Sequence, residues 1–148
     1  MSDADDDKLS EEEAKIVNKY PVLFAQIGMS VQESCMYWGF ECPSNWLGII
    51  EQLSKELTDL MEETGMVIEF AQIKEKYGTL RAYIDIKTNA SKEAYDKAYD
   101  IINKYERMTA KVCSVEGCRS ESKLRKGGWI VSLCDEHYEA RQKTKEKS

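Results

Sequence analysis

The stretch SNWLGIIEQLSKELTDLMEETGMVIEFAQIKEKYGTLRAYIDIK, residues 44–87, decides the fold, because its apolar period changes partway along. In its first half Trp46, Ile49, Ile50, Leu53, Leu57, Leu60 and Met61 recur every three or four residues, which lines them up as one stripe of a helix. Ser44 stands where a helix cap belongs, and Gly65 stops the run. Beyond Met66 the composition turns to strand. From Thr79 to Lys87 the pattern alternates, with Leu80, Ala82, Ile84 and Ile86 on one face and Thr79, Arg81, Tyr83 and Asp85 on the other. Tyr77-Gly78 between the two apolar runs predicts a hairpin with glycine supplying the turn.

Working outward, Ser10-Glu-Glu-Glu13 has the spacing of a capping box, and Pro21 ends the short helix it opens. Residues 22–43 show no period but carry Phe24, Met36, Tyr37, Trp38 and Phe40, so they read as an irregular segment packed on the body. Thr88-Asn-Ala-Ser91 is a loop and cap. A second long helix to about Thr109 follows, with Ala94, Ala98, Ile101, Ile102, Tyr105 and Met108 as its buried stripe. The expected class is α+β: two long helices packed on a small antiparallel sheet. Two strands alone are marginal, so a third is expected from 128–133 or 22–30.

The C-terminal end has a different logic. Three of the five cysteines and the single histidine form Cys113-x4-Cys118-x15-Cys134-x2-His137. Two close pairs of thiolate and imidazole donors, one on a glycine-assisted knuckle and one at a strand-to-helix junction, suit a tetrahedral zinc ion. Knuckle, hairpin and helix start in that order resemble a treble-clef zinc finger. All four ligands come from the chain, so the site is closed and structural. Cys35 and Cys42, six residues apart, read as buried reduced thiols, with a redox pair or a second metal as alternatives. The expected organisation is an acidic disordered tail over 1–9, an α+β body over 10–111, a zinc module over 112–140 and a basic disordered tail over 141–148.

Charge and missing parts narrow the function. The net charge of −6 is already reached within the first 13 residues; 14–112 carry −2 and 113–148 carry +2. No apolar run approaches the ~20 residues of a membrane span, and the acidic start is unlike a secretory signal. A cytoplasmic protein is the expectation. The histidine is committed to metal, no phosphate-binding glycine loop is present, and the carboxylate pairs Glu62-Glu63 and Glu11–Glu13 fall on solvated helix faces, so no enzyme is expected.

Several strings taken together carry a resemblance: Lys19-Tyr-Pro-Val-Leu-Phe24, Glu33-Ser-Cys-Met-Tyr-Trp-Gly-Phe-Glu-Cys42, Asn45-Trp46, Gln72-Ile-Lys-Glu-Lys-Tyr-Gly-Thr-Leu-Arg81 and the Gly-Trp…Leu-Cys-Asp-Glu-His end. Over roughly residues 19–137 the chain resembles a family of small bacteriophage and prophage accessory proteins. The resemblance implies a viral gene product acting in the bacterial cytoplasm and brings no catalytic residue with it. A protein partner in the host, such as a defence factor to be inhibited, fits that setting, with Trp38 and Phe40 as aromatic anchors. The alternative is nucleic-acid binding by the zinc module through Arg119, Lys123, Arg125 and Lys126 with Trp129 beside them, continued by the basic tail.

Overall fold

A computed structural model describes residues 9–30, 32–118, 120–126 and 129–146. Helix α1, Glu11–Lys19, opens on a full capping box: the Ser10 hydroxyl accepts from the Glu13 amide at 3.1 Å, and the Glu13 carboxylate accepts from the Ser10 amide at 2.8 Å. Ile16 and Tyr20 on its inner side are buried in the core. Helix α2, Leu47–Thr64, buries Leu47, Ile50, Leu53, Leu57 and Leu60 and ends at Gly65, whose φ of 78° is the left-handed conformation that glycine adopts without penalty. Its start corrects the expectation. Ser44 does not cap it; Ser44–Trp46 form a tight 3-10 turn after Pro43, and this turn tucks Trp46 fully into the core.

Strands β2, Ile68–Lys76, and β3, Thr79–Ile86, pair antiparallel. Both turn residues, Tyr77 at φ 56° and Gly78 at φ 85°, are left-handed, as a two-residue turn requires to match the twist of its strands. Ala71 is an extra residue between the pairs Phe70–Ile84 and Gln72–Tyr83, a bulge whose carbonyl faces the Ser34 hydroxyl at 3.5 Å. The third strand comes from neither expected place. Strand β1, Phe40–Glu41, pairs in parallel with Ile73 and Lys74 of β2. Residues 131–133 belong to a separate sheet, and the 22–30 segment contributes one backbone bond, Phe70 amide to Leu23 carbonyl at 2.7 Å.

Helix α3, Lys92–Thr109, is capped by the Ser91 hydroxyl, which accepts from the Ala94 amide. It packs against α2 and along β3 and buries Ala94, Ala98, Ile102 and Tyr105, but Met108, expected in the same stripe, is exposed. Its last turn satisfies the free edge of β3. The Leu80 amide donates to the Thr109 hydroxyl at 2.9 Å and the Ala82 amide to the Glu106 carboxylate at 2.9 Å, so that edge is closed to further pairing there. Burial pushes the Glu106 carboxyl up, against the opposing pull of that amide and of Arg81. Between the helices, Glu56 accepts from Lys104 at 2.7 and 2.9 Å and from the Tyr105 hydroxyl. The core is one cluster in which Trp46, Ile50, Leu53 and Leu57 meet Phe24, Ile68, Phe70, Ile73 and Leu80.

After α3 the chain forms a small second sheet, β4, Lys123–Arg125, antiparallel to β5, Val131–Leu133, and then helix α4, Asp135–Glu146. The helix passes straight through the boundary expected at 140. Residues 141–146 are therefore helical instead of tail, and the acidic leader through residue 8 lies outside the described residues. Among the described residues no helix is long and apolar enough to cross a membrane.

Candidate metal centre

Three local devices bring the donors together. The first is the knuckle from Cys113 to Cys118, where the Cys118 amide donates to the Val115 carbonyl at 3.0 Å and Gly117 takes φ 81°. Backbone amides of Cys134 and Val115 favour the Cys113 thiolate, and the Ser120 amide, just past the knuckle, favours the Cys118 thiolate. The second is strand β5, which delivers Cys134 at its end and holds the knuckle through Ser114 amide to Ser132 carbonyl at 2.8 Å. The third is the first turn of α4. Cys134 precedes the helix and its carbonyl accepts from Tyr138, so His137 lands on the same side as the cysteine.

The result is a compact donor set. His137 Nδ1 lies 3.1 Å from Cys134 Sγ and 3.5 Å from Cys113 Sγ, Cys118 Sγ lies 3.9 Å from Cys134 Sγ, and all four donor atoms are within 4.8 Å of one another. A tetrahedral ion with bonds of about 2.3 Å to sulfur and 2.0–2.1 Å to nitrogen sets its sulfurs about 3.8 Å apart and its sulfur–nitrogen edges at about 3.6 Å. The donor set is compatible with a metal ion of that kind. Hydrogen bonds, chiefly from the Ser120 amide, draw the Cys118 thiol down to about 7, whereas burial pushes the Cys113 thiol up. Cys113 and Cys134 are buried and the other two half-buried.

Two residues dock this centre onto the body: Asn45, for which the sequence suggested no role, and Gly78, which the sequence marked only as the hairpin turn. Asn45 reaches into the knuckle. Its amide nitrogen donates to the carbonyls of Cys113 (2.8 Å), Val115 (2.6 Å) and Cys118 (3.3 Å), and its oxygen accepts from the Gly117 amide at 2.9 Å. Nothing about a lone Asn before a core Trp announces this; the partners lie about seventy residues away. Gly78 is the other. A methyl group built there would meet Leu124 Cδ2 at 2.7 Å, the Val131 carbonyl carbon at 3.1 Å and the Ser132 nitrogen at 3.2 Å, so the tip of the β2–β3 hairpin lies against β4 and β5. The expected effect of Asn45→Ala is a loss of about 1–3 kcal/mol, because knuckle groups shielded by the contact lose their partner. Thermal melting measures this, and competition with a chromogenic chelator should show faster metal release.

The other candidate residues are scattered. Trp38 ends the 3-10 turn Cys35–Trp38 and is 59% exposed, its ring edge-on to Tyr37 at 5.1 Å. Phe40, expected beside it as an anchor, is half-buried and stacks on Phe24 at 5.5 Å, so it serves the core. Cys35 is exposed and Cys42 half-buried, which corrects the expectation of two buried thiols. Burial, with the charges of Glu13, Glu41 and Glu75, pushes the Cys42 thiol up to about 12. Of the basic loop, Lys123, Lys126 and Trp129 are exposed, Trp129 at 71%. Arg125 is committed within the module: it bonds Asp135 at 2.6 Å and the Leu133 carbonyl at 3.1 Å and lies over the Tyr138 ring at 4.4 Å. Arg119 and the tail residue Lys147 lie outside the described residues.

The carboxylates at Glu11, Glu12, Glu62 and Glu63 are exposed on helix faces. Comparison of the chain with protein-family models, with curated proteins and with solved structures found no match.

Proposed function

We propose that this chain is a zinc-stabilised binding protein without catalytic activity, a viral accessory factor that engages a host protein in the bacterial cytoplasm. The observation that carries this reading is the closed Cys3His donor set. Four protein ligands leave no position for water or substrate, which is the mark of a structural and not a hydrolytic site. Zinc would be held by Cys113, Cys118, Cys134 and His137 and would fix a treble-clef-like module. With the metal spent on structure, activity must lie in a surface. The exposed indole of Trp38 is the best anchor for a partner, held on a turn pinned by buried Met36 and by the Ser34 hydroxyl, which accepts from the Met36 amide at 3.1 Å. A host defence enzyme is the kind of partner an accessory gene would inhibit.

Metal analysis of protein purified without chelator should give one zinc per chain. Trp38→Ala should weaken the host partner recovered from expressing cells by about 2 kcal/mol or more while leaving the melting temperature unchanged. A zinc ratio near zero in a folded protein, or undiminished partner binding by the alanine variant, would overturn the reading.

A second reading is favoured by one feature, the 71% exposure of Trp129 beside exposed Lys123 and Lys126. A stacking indole flanked by cations suits nucleic acid. Because Arg125 is ion-paired, the informative variant is Lys123→Ala with Lys126→Ala. On this second reading it should remove oligonucleotide binding that already falls steeply with salt.

A further inference from the structure

The face of the three-stranded sheet that turns away from α2 and α3 carries an ordered pattern of charge. Along β3 the outward residues are Arg81, Tyr83 and Asp85, and opposite them on β2 stand Lys74, Gln72 and Glu69. Three rows result: a basic row Lys74–Arg81, a neutral row Gln72–Tyr83, and an acidic row Glu69–Asp85. Residues two apart on a strand are separated by about 6.8 Å, so on β3 the basic and acidic rows lie at equal distances on either side of Tyr83.

Among the described residues none of these charges takes part in an ion pair, although Arg81 lies near enough to the Glu106 carboxyl to pull its pKa down. Lys74 instead lies over the Tyr83 ring at 5.8 Å, Glu41 of β1 stands beside it in register, and the Arg81 Nε is buried without a hydrogen-bond partner. The two acids sit directly opposite each other, an arrangement of like charges that is unfavourable in itself. A buried amide holds them there: Gln26 Nε2 donates to Glu69 at 3.0 Å and to Asp85 at 2.8 Å, with its own oxygen fixed by the Ser34 hydroxyl at 2.6 Å. Asp85 and Tyr83 stay exposed, Tyr83 at 44%.

We propose that this sheet face is a self-complementary interface, and that its partner is a second copy of this chain. A two-fold axis running across the strands through the Gln72–Tyr83 row sets β2 over β2 and β3 over β3 with directions reversed. Each Lys74 then faces Glu69 of the other copy, each Arg81 faces Asp85, and the two Tyr83 rings meet on the axis. That is the isologous arrangement in which one patch serves both subunits. The two long strands, eight paired residues each, cover roughly 250 Å², about a third of what each partner contributes to a standard interface, so the association is weak and is sought at high protein concentration. This inference is independent of the metal and of Trp38.

Sedimentation velocity of the full-length, metal-loaded protein between about 5 and 500 µM tests it. The wild type should shift from monomer to dimer across that range, with the dimer weakening in high salt as the ion pairs are screened. Lys74→Glu and Glu69→Lys should each weaken self-association by at least about tenfold, since each sets two like-charged pairs against each other. An equimolar mixture of the two should associate again, because each reversed charge then meets its complement. Tyr83→Asp, at an exposed position on the axis, should also be monomeric and retain the wild-type melting temperature; it serves as the test if either charge variant fails to fold. A wild type that stays monomeric throughout, a dimer indifferent to these changes, or a mixture no more associated than its components would overturn the proposal.

Discussion

Replacing Cys134 with Ser is expected to abolish stoichiometric metal binding and to release residues 113–140 from their native structure, while α1, α2, α3 and the three-stranded sheet stay folded. The module's own core is three residues, Cys113, Leu133 and Cys134, packed with half-buried Cys118, Val131 and Tyr138. Three of those six are cysteines of the donor cluster, so, on the proposed zinc reading, losing the metal removes the reason for the core to assemble. Structural zinc contributes about 10–16 kcal/mol in small fingers, far above what so small an apolar cluster can replace. The body has its own continuous core and does not depend on the ion. Hydrogen exchange by mass spectrometry checks both halves at once: protection should vanish beyond about residue 112 and persist in α2 and β2. Two structural links set the size of the secondary effect. Loss of the module frees Asn45 and uncovers the hairpin tip at Gly78, so the melting temperature of the body should fall by a few degrees. Complete unfolding of the chain would mean that body and module form one cooperative unit.

Gly78→Val is expected to be the most damaging single change outside the ligands and the buried core, at about 3–5 kcal/mol. Two costs combine. A β-branched residue at φ 85° is strained by about 1–3 kcal/mol. Its Cβ would also press on Leu124 at 2.7 Å and on the backbone of Val131 and Ser132, and backbone does not give way as a side-chain tip can. Gly78→Ala carries the same clash with less strain and should cost less. Denaturant melts of the two variants give the ordering. A truncated chain ending before Cys113 separates the two costs, since only the strain remains when the module is gone. If Gly78→Ala were as harmful there as in the full chain, the contact with the module would carry no energy.

Much of the architecture was legible because it rests on local rules. The capping box at Ser10, the stripe from Ile50 to Leu60, the stop at Gly65, the alternation of β3 and the turn at Tyr77-Gly78 all depend on residues within a few positions of one another. The donor quartet was legible for a related reason: thiolate and imidazole are rare donors, and two close pairs of them define a tetrahedral site by spacing alone. The sequence by itself therefore determined the α+β class, the helices and the hairpin, and the identity of Cys113, Cys118, Cys134 and His137 as one cluster.

Tertiary structure decided the rest, since each remaining feature depends on groups far apart in the chain. A two-residue strand such as β1 has no period to read; it exists because the edge of β2 offers bonds to Phe40 and Glu41. Ser44 has the chemistry of a cap, yet packing of Trp46 tightened the turn and left it without that role. Phe40 and Arg125 carry the residue types of an anchor and a phosphate ligand, but stacking on Phe24 and pairing with Asp135 commit them elsewhere. Asn45 took up the knuckle through contacts about seventy residues away in sequence. Period and spacing fix what neighbours along the chain can do; which surface a residue finally meets is set by the long-range packing that brings the body, the knuckle and the sheet face together.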